Sequence, residues 1–407
     1  MPEIHAFRAW RYNPRKVPLL QKVVAPLSDT VLPKLLEQCY EHPHSALHLM
    51  HPQSLQAALD KRDAFVQDAI IERDPHPAMY VYEQHFQLLG GQQTHIRRGV
   101  LCLVSLKREE IALHEAVFED KIAMRLAQLK ALGMQSVPTH GLINDTENRM
   151  ESLLAQNQTY PLASVTDTQG TRHIIRLETD LQRIRSLQLI MRQRRLYLAD
   201  GHHRITTHLR YAEESGEPKA AMHLMFLSNL NAPDLNILPF HRVLQLEGLP
   251  SVDEVLPKIE RYFTTQPISA REPAALAFRK SEAAIAMVWP KGSLLLHPKP
   301  GLPDMVDDGT SREVGSLSFK QLHYFIIDQC FGLPSDKQPA DARISYRRSA
   351  AAAIKACRDN AQTVSFLMRP ASKQQFLDIS RQPAVMPPKS TYFYPKVLGG
   401  LVFADLA

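Results

Sequence analysis

Cysteine is scarce: Cys39, Cys102, Cys330 and Cys357 lie far apart and form no CxxC pair. That spacing excludes a zinc ribbon, an iron–sulfur site and a disulfide scaffold, and leaves buried thiols in a reducing compartment. Long apolar runs are missing too. No stretch reaches the roughly 18 uninterrupted apolar residues of a membrane helix. The opening Met-Pro-Glu-Ile-His lacks the basic-then-apolar order of a secretion signal. A cytoplasmic location with no membrane partner is therefore expected. Nor does charge of one sign dominate, because the net +6 is spread along the chain. The densest basic run is Arg192-Gln193-Arg194-Arg195, with a smaller pair at Arg347-Arg348. Such runs are ordinarily solvated faces and less often anion sites. The stretch after Arg348 is alanine-rich, and no basic face is interleaved with aromatics, which argues against nucleic acid as a partner.

What is present fits an ordinary globular chain, with 44% hydrophobic and 22% charged residues. At 407 residues it exceeds one core, so two domains are expected. Residues 4–11 read as strand and turn, and 31–40 and 55–71 as helices. Met79-Tyr80-Val81-Tyr82 and 99–106 read as a hairpin turning through Gly90-Gly91. A helix through Leu132 follows His114-Glu115, with Phe118, Ile122, Leu126 and Leu129 at three- or four-residue spacing. Leu196-Tyr197-Leu198-Ala199 is short and apolar enough for a buried strand; 206–214 reads as a helix and 221–227 as the next strand. This alternation predicts an α/β core. From about residue 246 the pattern changes to a helix at 252–263 and a hairpin around Pro290-Lys291-Gly292. An apolar helix at 318–330 is followed by helix, strand and helix at 349–358, 364–368 and 372–380. The expected domains are a phosphate-binding one over 1–245 and an α/β one over 246–407 ending in the Met386-to-Lys396 loop.

The chemistry centres on Asp200-Gly201-His202-His203-Arg204. Gly201 allows a sharp turn and close approach of a ligand. A helix starting just after it aims N–H groups and the positive end of its dipole at the turn. His202, His203 and Arg204 add donors, Arg204 with bidentate geometry for phosphate. Asp200 can orient a histidine, cap the helix or hold magnesium. A phosphate is the natural guest. Adjacent histidines diverge and lack HExxH spacing, so no metal-ligand set is expected here. The plain alternative is an Asp cap with surface histidines. On the phosphate reading, Arg204→Ala removes nucleotide protection in thermal melts and leaves the unliganded melting temperature nearly unchanged.

The motif resembles that of the ParB/sulfiredoxin-like superfamily, which includes free-serine kinases. The whole chain resembles more closely the family catalogued as domain-of-unknown-function 1015. The resemblance rests on Phe7-Arg8-Ala9, Ala25-Pro26 with Asp29, Pro43 to His48, Tyr80-Val81-Tyr82 and His114-Glu115. It continues through 199–204, Leu238-Pro239-Phe240-His241-Arg242, and Met386 to Lys396. It implies a ParB/sulfiredoxin-like strand–loop–helix core and a phosphotransferase acting on a serine- or phosphoserine-like hydroxyl compound. ADP or ATP with Mg2+ would be the cofactor, bound at Asp200 to Arg204. Asp29 or Glu115 would accept the hydroxyl proton, with His114 beside them. His241, Arg242, Lys389 and Ser390 would meet substrate or phosphate. Asp29 and Glu115 can equally be a helix cap and a first-turn glutamate, and His114 a packed side chain. A nucleotide-sensing regulatory protein and a phosphatase-type hydrolase on the same site stay open, as does the oligomeric state. The chain departs from the family pattern, which usually reads Pro-Pro-Tyr-Asp where Pro26-Leu27-Ser28-Asp29 stand, Thr-Arg at Val117-Phe118 and Asp-Arg at Met124-Arg125, so that several polar groups are apolar here. A different substrate or reduced catalysis would follow.

Overall fold

The computed structural model describes residues 2–25, 33–88, 91–113, 117–335, 338, 341–382 and 389–406. They group into two compact units. Met1–Leu113, Val117–Asn236 and Pro395–Ala407 make the first, and Ile237–Tyr394 the second.

In the first unit, nine strands among the described residues share one mixed sheet. They are β1 (Glu3–His5), β2 (Met79–Gln87), β3 (Thr94–Ser105), β4 (Ile111–Ala112), β5 (Thr139–Ile143), β6 (Ala163–Thr166), β7 (Arg172–Glu178), β8 (Leu196–Asp200) and β9 (Met222–Asn229). The order is β4-β8-β5-β9-β3-β2-β7-β6, with β1 beside β3. β8 runs parallel to β4 and β9 parallel to β5; the other pairs are antiparallel. Successive side chains on a strand point to opposite faces. Met79, Val81, Val100, Cys102, Met225 and Leu227 therefore share one cluster, and Tyr80, Tyr82, Leu101, Leu224 and Phe226 another.

Helices cover the first of these faces. Beside the sheet run α1 (Glu119–Leu132), α2 (Arg149–Ala155), α3 (Leu181–Arg192) and α4 (His202–Ser215). The last three contribute Met150, Leu154, Leu187, Ile190, Ile205 and Leu209 to the core. Chain ends cover the second face: Phe7, Ala9 and Val24 from one, and Val397, Leu398, Leu401 and Val402 from the other. Burial on both faces is why Leu196 to Ala199 reads as an unbroken apolar run.

The second unit holds a six-stranded antiparallel sheet among its described residues. Its strands are β10 (His241–Gln245), β11 (Phe263–Pro267), β12 (Ile285–Trp289), β13 (Gly292–Pro298), β14 (Ile344–Arg347) and β15 (Thr363–Met368), in the order β11-β13-β12-β15-β10-β14. Helix α5 (Ala350–Asp359) packs Ala353 and Cys357 against Val243, Ala286, Val288 and Leu367.

A large mixed sheet with helices, plus a second sheet, makes the chain mixed α/β. The hairpins form as β2–β3 and β12–β13; of the first turn, Gly90 lies outside the described residues. Four expectations change. The sequence placed 246–407 together, whereas contacts divide the chain at Asn236 and return Pro395–Ala407 to the first unit. The helix from Val252 ends at Ile259, and Phe263 opens β11. The helix of the motif begins at His202, four residues earlier than expected. The apolar helix from Ser318 is α-helical only to Gln321 and continues as a π-helix over Leu322–Asp328. There the Gln338 amide donates to the His323 carbonyl at 3.1 Å, drawing a helix carbonyl to an outside partner.

Candidate functional site

β8 pairs with β5 through Leu198↔Gly141 and Asp200↔His140, so Ala199 is an extra residue, a bulge that re-aims Asp200. Gly201 then turns the chain with φ +99° and α4 starts at once. A Cβ at Gly201 would sit 2.7 Å from Thr139 Cγ2, so both conformation and space call for glycine. The expected loop is thus a one-residue turn, and His202, His203 and Arg204 form the first turn of a helix. At 100° per residue they leave its axis in three directions.

Arg204 turns back on the strand. It pairs with Asp200 Oδ2 at 2.7 Å and donates to the Pro138 carbonyl at 2.7 Å. Lys396 takes the other carboxylate oxygen of Asp200. Asp200 is 15% exposed, Lys396 13% and Arg204 15%. Burial works to raise the Asp200 pKa, but Lys396, then Arg204 and His140, outweigh it and hold the carboxyl well below its ordinary range. Removing Arg204 would take away one of the cations that hold Asp200 ionised, together with the bond to the Pro138 carbonyl, so Arg204→Ala is expected to cost the unliganded protein stability, where the sequence reading expected little change.

Histidines line the rest of this region. His202 is 6% exposed, and burial pushes it down to about 3, with nearby Asp200 opposing. His203 stacks on Phe118 at 5.7 Å, and its Nε2 accepts the Phe118 N–H at 3.1 Å. His140 Nε2 meets Ser228 Oγ at 2.7 Å, and burial, then Arg97, keeps its pKa well below the ordinary value. Buried Arg97 is held by Gln84 and the Pro395 carbonyl, and Gln84 also donates to the Lys396 carbonyl at 2.9 Å. Lys396, His140, Ser228 and Arg97 were not among the sequence candidates. Only Lys396 had a signal, as the last residue of the most specific C-terminal match.

Asp29, His114 and Glu115 lie outside the described residues. His241, Arg242, Lys389 and Ser390 belong to the second unit. Arg242, 2% exposed, lies between the Phe319 and Tyr346 rings at 5.4 Å from each. It donates to His323 Nε2 at 3.3 Å and to the Lys389 carbonyl at 3.2 Å. Burial lowers its pKa to about 10, with Tyr346 opposing. Lys389 has φ +62° and its ammonium lies 5.6 Å from the Phe240 ring. His241 Nδ1 accepts the Met368 N–H at 3.0 Å. The structure thus brings the Arg242 guanidinium and the Lys389 carbonyl together. Ser390 is 4% exposed.

Residues 4–319 match the model of the family described as Protein of unknown function (DUF1015). The chain belongs to the DUF1015 family. A search of curated proteins returned no significant match for this DUF1015 chain. Among solved structures it is similar to a conserved hypothetical protein from Pyrococcus furiosus, with 12% identity over 73% of this chain and 93% of that one, TM-score 0.34. A free serine kinase mutant in complex with AMP aligns at 12% identity over 73% of this chain and 88% of that one, TM-score 0.37. SbnI with a C-terminal truncation, from Staphylococcus aureus, aligns at 13% over 73% and 85%, TM-score 0.37.

Among the described residues no helix is long and apolar enough to cross a membrane. Nor does any group of three or more His, Cys, Asp or Glu side chains among them make a metal cluster. Both oxygens of Asp200 are engaged by cations, so the carboxylate does not fit a magnesium ion in this arrangement.

Proposed function

We propose that this DUF1015 chain is a phosphotransferase that binds a nucleotide, ADP or ATP, at Asp200 to Arg204 and acts on a small serine- or phosphoserine-like hydroxyl compound. The observation that supports phosphate binding is the glycine turn from β8 directly into the N-terminus of α4, with the cations of Arg204 and Lys396 beside it at Asp200. Helix N–H groups and neighbouring cations together favour a phosphate there. In this reading the β8–Gly201–α4 junction is a ParB/sulfiredoxin-like core. Asp29 or Glu115 accepts the hydroxyl proton, assisted by His114, and Lys389 with Ser390 meets the transferred group. Donor and acceptor classes come from the motif's resemblance. The Asp200 geometry leaves any Mg2+ to the substrate phosphates and other carboxylates.

One observation favours a second reading, a nucleotide- or phosphometabolite-sensing protein without turnover. Phe118 covers one face of His203 and its backbone engages the ring nitrogen, where the family pattern is more polar. Thermal melts with ADP, ATP, serine and phosphoserine, with and without magnesium, paired with 31P NMR of the mixtures, separate the two. Nucleotide stabilisation with a new phosphate ester resonance is the expected result. Stabilisation without transfer supports the sensor. No shift with any phosphate compound sinks phosphate binding at the motif.

A further inference from the structure

Gln84 on β2 and Arg97 on β3 stand directly opposite each other in the first unit's sheet, and both are 0% exposed. Arg97 Nε donates to Gln84 Oε1 at 2.9 Å, and its Nη2 reaches the same oxygen and the Pro395 carbonyl. Gln84 Nε2 donates to the Lys396 carbonyl at 2.9 Å. A guanidinium can only donate, so the amide oxygen must face Arg97 and the amide N–H must face Lys396. Tyr82 lies on the same face of β2, two residues before Gln84. Its hydroxyl oxygen accepts the Leu398 N–H at 3.4 Å, and Val397 and Leu398 pack into the cluster on that face. The backbone from Pro395 to Leu398 is thus pinned at successive points along one strand. The Lys396 side chain leaves this pinned stretch to reach Asp200.

A buried guanidinium is costly to desolvate, and apolar side chains of similar volume are often as stable in its place. Packing alone therefore does not call for this pair. What Arg97 and Gln84 supply, and an apolar pair cannot, is donors on the adjacent carbonyls of Pro395 and Lys396. A lysine ammonium on its flexible four-carbon stem is placed no better than the backbone that carries it. Lys396 also meets Asp200 across 196 residues of sequence, so its backbone needs an anchor outside the motif. We propose that Gln84 and Arg97 are positioning residues for the motif, fixing the Lys396 backbone so that its ammonium stays beside Asp200 and the N-terminus of α4 for an incoming phosphate. This role presupposes phosphate binding at Asp200 to Arg204. Neither side chain touches the phosphate, and both act through Lys396.

Isothermal titration of the full chain with pyrophosphate and with ADP tests this in a double-mutant cycle. Gln84→Met removes the bond to the Lys396 carbonyl, and Lys396→Met removes the cation. Each should weaken both ligands by about tenfold, and the double variant should bind no more weakly than Lys396→Met alone. A merely structural role for Gln84 would lower the melting temperature and leave the two binding losses additive. Gln84→Glu keeps an acceptor for Arg97 and loses the donor to Lys396. It repeats the cycle, with the same expected result, should Gln84→Met not fold. Unchanged affinity in a folded Gln84 variant, or losses that add, would overturn the proposal and leave phosphate binding in place. A wild-type chain that binds neither pyrophosphate nor ADP overturns the phosphate reading and this role with it.

Discussion

At Asp200 burial alone would protonate the carboxyl more readily, yet the flanking cations reverse the direction. Such a cluster is strongly coupled, because each member is only 13–15% exposed. Lys396→Met removes a charge-assisted bond while Arg204 still pairs with Asp200, so it is expected to lower stability by about 2 kcal/mol in urea unfolding. Adding Asp200→Asn should deepen the loss, because Arg204 is then left without its carboxylate. A loss near zero in the single variant would mean that the pair behaves as a surface contact. The sequence marked Asp200 to Arg204 as unusual because strand, glycine and helix chemistry are local. It could not show that Arg204 folds back on Asp200, nor that Lys396 clasps it from 196 residues away. Pairing at that separation leaves no trace in periodicity or propensity.

Among the elements, those with strong local signals were legible: the apolar run of β8, the alternation of β2 and β3, and the glycine turn of the β12–β13 hairpin. The start of α4 was not, because His202 and His203 read as site residues although they occupy helical positions. The π-helix was also hidden, since its cause lies outside the helix. The Gln338 amide reaches the carbonyls of His323 at 3.1 Å and Leu333 at 2.6 Å, and its oxygen meets His323 Nδ1. Gln338 is 2% exposed, so Gln338→Leu would leave these carbonyls dry and unmatched. The expected cost is about 2 kcal/mol. Hydrogen exchange read over 322–328 should quicken markedly, and an unchanged pattern would show that the π-turn needs no support from this side chain.

On the scale of the molecule, the sequence supported two sheet-bearing units but not the return of Pro395–Ala407 to the first, where Val397, Leu398, Leu401 and Val402 cover a sheet face. Burial also shapes the whole protein's response to acid. His202 and His323 are pushed down to about 3, and His208 and His241 to about 4, in each case chiefly by burial. An unfolded histidine takes a proton as pH falls through about 6.5, whereas these folded ones stay neutral down to about 3 or 4. The unfolded state then binds more protons, so stability is full above about 6.5 and declines as pH falls toward the folded values. Asp200 acts in a more acidic window, since its depressed pKa stabilises the fold above the ordinary carboxylate value and is lost only below it. Between pH 6.5 and 5 the histidines therefore set the slope, each contributing up to about 1.4 kcal/mol per pH unit. His241 gives the cleanest check because its Nδ1 must stay unprotonated to accept the Met368 N–H. His241→Asn, which retains an acceptor but does not titrate, should flatten stability against pH by about one proton in urea unfolding series at pH 7 and 5. An unchanged slope would mean that His241 is protonated in the fold and that its bond to Met368 opens with acid.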